Sequence, residues 1–316
     1  MRPLQRARRL VQRLSRPLLG SRPSRQLEHY LIRERSYFER DGEVRARFGS
    51  PDNPGFQGFV DTEAVLYLRE MQEVAVPFPP STEMLTVGGE TDLRKFLTIG
   101  HGCYDIVKRH LPRAPGRQRL LDFGVGCART MRFFFRDLHQ FECHGCDVDR
   151  AAIAYLKAHL PFVHARACEN RPPLPYPTAF FDAVYCISVF THLAERAFDA
   201  WMAEMRRVLR PGGVLITSLH GRTAYRQVSE EPDRRRLIGI VEEEFQRKRH
   251  AFDQQGFLWL SQPAGSADID TNQYGCSFLR DERTAHRVSA TFELETYLPG
   301  ALGGWQDLAI MRPRSP

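Results

Sequence analysis

No stretch of this chain stays apolar for anything near the roughly 20 residues that a membrane-spanning helix requires. The N-terminus also lacks the unbroken apolar core of a secretory signal. Both gaps point to a soluble, cytoplasmic protein. Cysteine is present but unpatterned. The seven residues (103, 127, 143, 146, 168, 186 and 276) are odd in number, scattered, and several lie inside strand-like runs, which suits reduced thiols better than a disulfide framework. Cys143 and Cys146 form a lone C-x-x-C with no second pair at zinc-ligand spacing, so the expectation is two thiols packed beside a strand, and no metal site is assigned. Lysine is scarce beside arginine, which reads as coding bias. What is abundant is ordinary: 42% apolar and 26% charged residues in a chain of 316, enough for one large domain with sizeable additions.

The formal charge of +7 is uneven. Residues 1–25 hold eight arginines and neither lysine nor acid, +8, so the remainder comes to 7 − 8 = −1. A nearly neutral body argues against nucleic acid spread over the whole fold. Within the basic segment, Leu4, Ala7, Val11, Leu14 and Leu18 recur at helical spacing opposite Arg2, Arg6, Arg9, Arg13 and Arg16, and Pro17 would end such a helix. It can lie on an anionic membrane surface, resemble a transit peptide, or simply be a tail or a helix docked on its own domain.

Residues 26–117 read as a mostly helical cap interrupted by Pro51, Pro54 and the run Pro77–Pro80, with Lys95–Leu111 leading into the core. From residue 118 strands and helices alternate. The strands are Arg119–Phe123, a run ending at Cys146-Asp147, Phe162–Ala167, Ala183–Val189 and Val214–Leu219. Helices are expected around Met131–Leu138, Ala151–Leu160 and Phe198–Leu209, the last stopped by Pro211-Gly212-Gly213. Such alternation predicts right-handed crossovers and a doubly wound, Rossmann-like, mostly parallel sheet. A polar, irregular insertion (222–286) is too long for an ordinary connection. Thr291–Tyr297 and Asp307–Arg312 then read as an antiparallel closing pair around Gly300–Gly304, making the last strand antiparallel.

Ligands of such sheets bind beyond the carboxyl ends of the strands, where strand order reverses. The first strand ends in Asp122-Phe-Gly124-Val-Gly126-Cys-Ala128-Arg129. Glycine serves where backbone must turn with positive φ or approach a ligand. A dinucleotide fingerprint would place its third glycine at position 129, where this chain has a bulky arginine, which opposes a nicotinamide oxidoreductase. Asp122 would repel a pyrophosphate but attract a positively charged amine. Asp147, at the end of the second strand, can accept both hydroxyls of a ribose, and Asp149 suits the N-cap of the next helix.

In order and spacing, D-F-G-V-G-C-A-R, G-C-D-V-D, P-L-P-Y-x4-F-D-A-V-Y-C-I-S-V-F-T-H-L and R-R-V-L-R-P-G-G-V-L-I-T resemble the class I S-adenosylmethionine-dependent methyltransferases. The likeness is nearest to the bacterial methyltransferase-domain group acting on small molecules and glycans. It is strong over about 119–221 and looser over 291–312, and Ala128 replaces a usual glycine, so a slightly tighter turn is expected. The resemblance implies S-adenosylmethionine as cofactor, with Asp122, Gly124 and Gly126 on its methionine portion and Asp147 and the adjoining Val148 at the ribose. Glu169 or Asn170 would lie near the adenine amino group, and Ile187–Val189, with Ser188, along the floor.

Methyl transfer from a sulfonium mainly needs an aligned acceptor and exclusion of water. A hydroxyl acceptor also needs a base, for which His192 and His220 are candidates beside a structural role. Tyr104, Phe257, Trp259 and Tyr274 are candidate walls of an acceptor pocket, or core. The expected activity is methylation of a small-molecule or glycan oxygen or nitrogen. Alternatives are an RNA or protein methyltransferase, disfavoured for RNA by the neutral body and by the missing N-P-P-Y-type loop, and a silent cofactor-binding scaffold.

Overall fold

A computed structural model describes residues 92–314 apart from Gly265, together with residues 45–46, 49–50, 53, 78–79 and 84. The basic segment 1–25 and nearly all of the expected cap before residue 92 lie outside the described residues.

Helix α1 (Leu93–His110) begins where Asp92 accepts a hydrogen bond from the Lys95 amide at 2.8 Å, the N-cap that satisfies a donor the helix leaves bare. Six elements then alternate: β1 (Gln118–Phe123), a 3₁₀ helix (Met131–Asp137), β2 (Phe141–Asp147), α2 (Arg150–His159), β3 (Val163–Ala167) and β4 (Phe181–Cys186). Next come α3 (Glu195–Val208) and β5 (Leu209–Leu219). After the inserted region, β8 (Phe292–Leu302) and β9 (Gln306–Pro313) close the sheet. Strand order is β3-β2-β1-β4-β5-β9-β8, parallel from β3 to β5, with β9 antiparallel to both of its neighbours. The chain leaves β1 toward β2 and β3, then returns to place β4 on the other side of β1, so the reversal falls between β1 and β4.

Because strand side chains alternate, the sheet builds two apolar layers. Leu120, Ala183, Val214 and Ile216 face one layer with Phe96, Val107 and Leu156 of α1 and α2. Leu121, Val184, Leu215 and Met311 face the other with Phe198, Met202 and Met205 of α3. Each such fully buried side chain contributes about 1.5–3 kcal/mol from transfer out of water. Cys143 and Cys146 belong to opposite layers, so they cannot share a ligand.

Three local expectations change. The helix after β1 is 3₁₀ rather than α: Met131, Arg132, Phe133, Phe134 and Phe135 are all buried, leaving that stretch no solvent face to build an amphipathic helix around. β5 begins before Pro211-Gly212-Gly213, because a register shift between Phe181↔Leu209 and Ala183↔Val214 absorbs those residues. The insertion is ordered. It contains α4 (Arg222–Glu230), α5 (Pro232–Leu237), α6 (Glu242–Lys248), α7 (His250–Gln255), the antiparallel hairpin β6 (Phe257–Ser261) and β7 (Gly275–Leu279), and α8 (Asp281–Val288). Ala224, Val228, Phe245, Phe252, Leu258 and Phe278 form its own core. Buried Arg235 lies 4.6 Å over the Phe245 ring and pairs with Glu242 at 2.8 Å, joining α5 to α6. Among the described residues no helix is long and apolar enough to cross a membrane.

Candidate active site

The turn after β1 is shaped by backbone that few side chains tolerate. Gly124 has φ +80°, and a Cβ there would sit 2.3 Å from Val189 Cγ2, so the loop after β4 packs directly on glycine backbone. Gly126 (φ +48°) and Ala128 (φ +62°) are also left-handed. Ala128 therefore holds a conformation that favours glycine, at a cost of about 1–2 kcal/mol for an L side chain. Buried Arg132 holds the turn from behind, donating to the carbonyls of Ala128 (3.1 Å) and Cys127 (3.2 Å). From the other side α1 closes in so tightly that a Cβ on Gly100 would meet the Arg129 carbonyl at 2.2 Å.

Two carboxylates flank this turn. Asp122, near the end of β1, is buried and accepts a 2.7 Å hydrogen bond from the Tyr185 hydroxyl on β4. Burial pushes its carboxyl up to about 8, which the Tyr185 bond opposes. Asp147 ends β2. One of its oxygens accepts the Gly126 amide at 2.7 Å and the other the Asp149 amide at 2.9 Å. The Val148 backbone also bonds this carboxylate, which with about four lone-pair positions still has capacity for a further donor such as a hydroxyl. Burial raises its carboxyl as well, against the pull of these amides. Asp149 accepts from the amides of Ala151 and Ala152 at 2.9 and 3.0 Å, the N-cap of α2. Val148 is half-buried between them.

Arg129 is the residue that sequence reasoning undervalued. Read only as an obstacle to pyrophosphate, it places a buried, unpartnered Nε within electrostatic range of Asp122, whose carboxyl it pulls down. An acid and an orphaned guanidinium nitrogen side by side fit a zwitterion, amine to one and carboxylate to the other. The sequence shows an arginine near an acid at a glycine turn; that its Nε is buried without a partner only the fold reveals.

The other expected residues divide. Ser188, with φ +60°, donates its amide to the Ser218 hydroxyl oxygen (2.7 Å) and bonds Gln306 through Oγ, so it joins β4, β5 and β9 beside the cleft. Glu169 is exposed and paired with Arg150 at 3.0 Å. Both ends of the Asn170 amide are engaged by backbone: Nδ2 donates to the Asp268 carbonyl (2.7 Å), and Oδ1 accepts the Asp270 amide (2.9 Å). Tyr104 and Phe257, expected as pocket walls, pack in the interior. The first donates its hydroxyl to Asp137 at 2.6 Å within the α1 layer; the second meets Phe198 edge-on in the α3 layer.

Trp259 and Tyr274 instead gather at His192. Tyr274 stacks on the imidazole, centroids 4.7 Å apart and planes within 11°, and Trp259 Nε1 donates to the His192 carbonyl at 3.4 Å. His192 Nδ1 lies 2.7 Å from the Gly275 carbonyl. A carbonyl only accepts, so Nδ1 carries the proton and Nε2 holds the lone pair, the tautomer a base requires. Burial lowers the pKa of this ring, which the Gly275 bond and the Gln262 side chain oppose. His220 is more deeply enclosed. Cys276 Sγ lies 3.5 Å from its Nδ1, Nε2 has no partner, and burial pushes its pKa down to about 3. Both imidazoles are neutral at pH 7.

With this geometry in view, residues 120–213 match the family model described as "Methyltransferase domain". A Mycolicibacterium smegmatis protein bearing the name "Probable S-adenosylmethionine-dependent methyltransferase" is 31% identical over 134 residues, 42% of this chain and 51% of its own length. The chain thus spans about half the length of the curated relative it matches. A Pyrococcus horikoshii protein of known crystal structure shares the fold, with a TM-score of 0.50 at 17% identity over 79% of this chain and 99% of that one. The sheet is Rossmann-like, the fold shared with that structure. Over residues 120–213 the chain is similar to methyltransferase domains, and over 134 residues to that S-adenosylmethionine-dependent relative.

Proposed function

We propose that this protein binds S-adenosylmethionine across the exits of β1, β2 and β4 and methylates an oxygen or nitrogen of a small-molecule or glycan acceptor. The observation that carries the reading is Asp147: its carboxylate, at the end of β2, is tied to the glycine turn by the Gly126 amide and to the head of α2 by the Asp149 amide, at the ribose end of the turn. Asp122 and Arg129 complement the amine and carboxylate of the methionine portion, Gly124 and Gly126 let the backbone approach it, and Ser188 lies along the floor. Asn170 and Glu169 stand at the adenine end. The bound cofactor supplies a methyl group on a sulfonium, open to in-line displacement by a nucleophile. The protein's part is alignment, exclusion of water and removal of the acceptor's proton. His192, neutral with its lone pair on Nε2, is assigned the proton, and Tyr274 and Trp259 the acceptor wall. His220, more enclosed, is the second candidate base.

The near-neutral charge outside residues 1–25 supports a small acceptor over RNA. Contact of the basic segment 1–25 with an anionic membrane surface is part of the same proposal.

Titration calorimetry separates the readings. S-adenosylmethionine and S-adenosylhomocysteine should bind and NAD should not. Asp147→Ala should weaken that binding by about 1–3 kcal/mol, the cost of leaving sugar hydroxyls unpaired. Binding of NAD in place of the methionine nucleosides would overturn the proposal, and an unchanged affinity in Asp147→Ala would move the ribose elsewhere.

A further inference from the structure

The inserted region does more than wall the acceptor side. Residues 268–275, between β6 and β7, touch the exits of three core strands. At the β2 exit, the Arg150 amide at the head of α2 donates to Asp268 Oδ2 at 3.0 Å. At the β3 exit, Asn170 makes its two bonds to Asp268 and Asp270, and Arg171 reaches Asp270 Oδ2 at 3.9 Å. At the β4 exit, the Ala194 amide donates to the Gln273 carbonyl (3.1 Å), Leu193 and Tyr274 form an antiparallel bridge, and the Gly275 amide donates to the His192 carbonyl at 2.8 Å. In the order β3-β2-β1-β4, a segment held at β2, β3 and β4 spans the side of the cleft assigned above to adenine and ribose. Its far end is the residue stacked on His192.

The fastening is internally consistent. Asp270 turns the strap on itself, accepting the Asn272 amide at 3.0 Å and the Gln273 side chain at 2.7 Å, which ties residues 270–273 together. Among the described residues no other side chain outside it bonds its backbone twice, and Asn170 does so with a donor and an acceptor together, as a second strand would. Yet the bond to Asp268 is exposed and the one to Asp270 only part-buried. Two such bonds bias the strap toward closure by about 5- to 150-fold, within reach of a ligand that fills the cleft beneath.

Resting on the proposed cofactor site, we propose that Asn170 is a positioning residue: it fastens this strap to the adenine end, so that occupation of that end orders the His192–Tyr274 pair on the acceptor side. Cofactor then binds before acceptor. By reciprocity, whatever orders the strap tightens the cofactor by the same factor.

Hydrogen exchange at saturating S-adenosylhomocysteine tests this. In the wild-type protein, exchange should slow by about tenfold or more at residues 124–126, at 270–275 and at 192–194. In Asn170→Ala, protection at 124–126 should persist, while protection at 270–275 and 192–194 falls about tenfold. Asn170→Asp keeps the bond from the Asp270 amide and should retain part of the effect; it also carries the test should the alanine variant fail to fold. Full protection of 270–275 in both variants would overturn the proposal. Wild-type protection confined to 124–126 would overturn the coupling and leave the cofactor site standing. Wild-type protection nowhere would remove both.

Discussion

The sheet with its strand exits and the inserted region 222–286 solve the same problem in different ways. The sheet gets its precision from crowding: Gly124 against Val189, Gly100 against the Arg129 carbonyl, and Arg132 holding two carbonyls with no room to spare. The insertion is an assembly of short helices and one hairpin around a small core. A hairpin alone is marginal in water, and this one gains definition by attaching to the sheet. Its β7 strand donates the amides of Gly275, Ser277 and Leu279 to the carbonyls of His192, Thr191 and His220, at 2.8 Å each. One region positions by exclusion and the other by attachment.

The sharpest break of this comparison is a paired truncation. Phe181→Ala in the sheet and Phe252→Ala in the insertion should each cost about 3–5 kcal/mol in denaturant titrations, since both side chains are fully buried. Only the first should also lower the affinity for S-adenosylhomocysteine by more than about tenfold, the equivalent of 1.4 kcal/mol. Equal losses of affinity would make the two regions one energetic unit.

The pH dependence of cofactor binding comes next. Asp122, with its carboxyl near 8, is protonated in the ligand-free protein at pH 7, and an ammonium placed against it favours the carboxylate. Binding should therefore release a proton, and affinity should rise by up to about tenfold per pH unit from 6 to 8, then level off. Calorimetry in two buffers of different ionisation enthalpy counts that proton, and Asp122→Asn should flatten the profile. The stability of the free protein has the matching sign. A folded pKa raised above the unfolded 3.8 gives stability that is complete below about 4 and is lost as pH climbs toward 8. Asp147, also raised, adds in the same direction.

The smallest effect expected is at Ala128. Glycine there relieves about 1–2 kcal/mol of left-handed strain but returns about 0.4–1 kcal/mol of freedom to the unfolded chain. Ala128→Gly should thus raise the denaturation free energy by about 0.5 kcal/mol, with cofactor affinity unchanged. A loss of affinity would show that the alanine methyl contributes to the turn beyond its strain.

How far these regions could be read in advance follows the same divide. Buried parallel strands are short, continuous apolar runs bounded by turn residues, so Leu120-Leu121 and Val184-Tyr185-Cys186 announced themselves, as did the aspartates at their ends. Helix α2 was legible through Asp149 and its periodic alanines. The insertion was not, because α5 and α7 have six residues each, too few for periodicity to show, and its arginines look like solvent residues although Arg235 is buried. The partners of Asn170 lie about 100 residues away in sequence, at Asp268 and Asp270, and no local pattern encodes such a pairing. Tyr274 was marked by residue type alone, and its place beside His192 depends on hairpin register. Arg129 was visible, but its meaning required knowing that it is buried beside Asp122.

The three amides that β7 turns toward the sheet have one more effect. A bare strand edge templates pairing with other chains, which is how soluble proteins nucleate fibrils. Gly275, Ser277 and Leu279 spend those groups on the loops after β4 and β5. The bonds that fasten the hairpin to the sheet also remove, on that side of it, a starting point for aggregation.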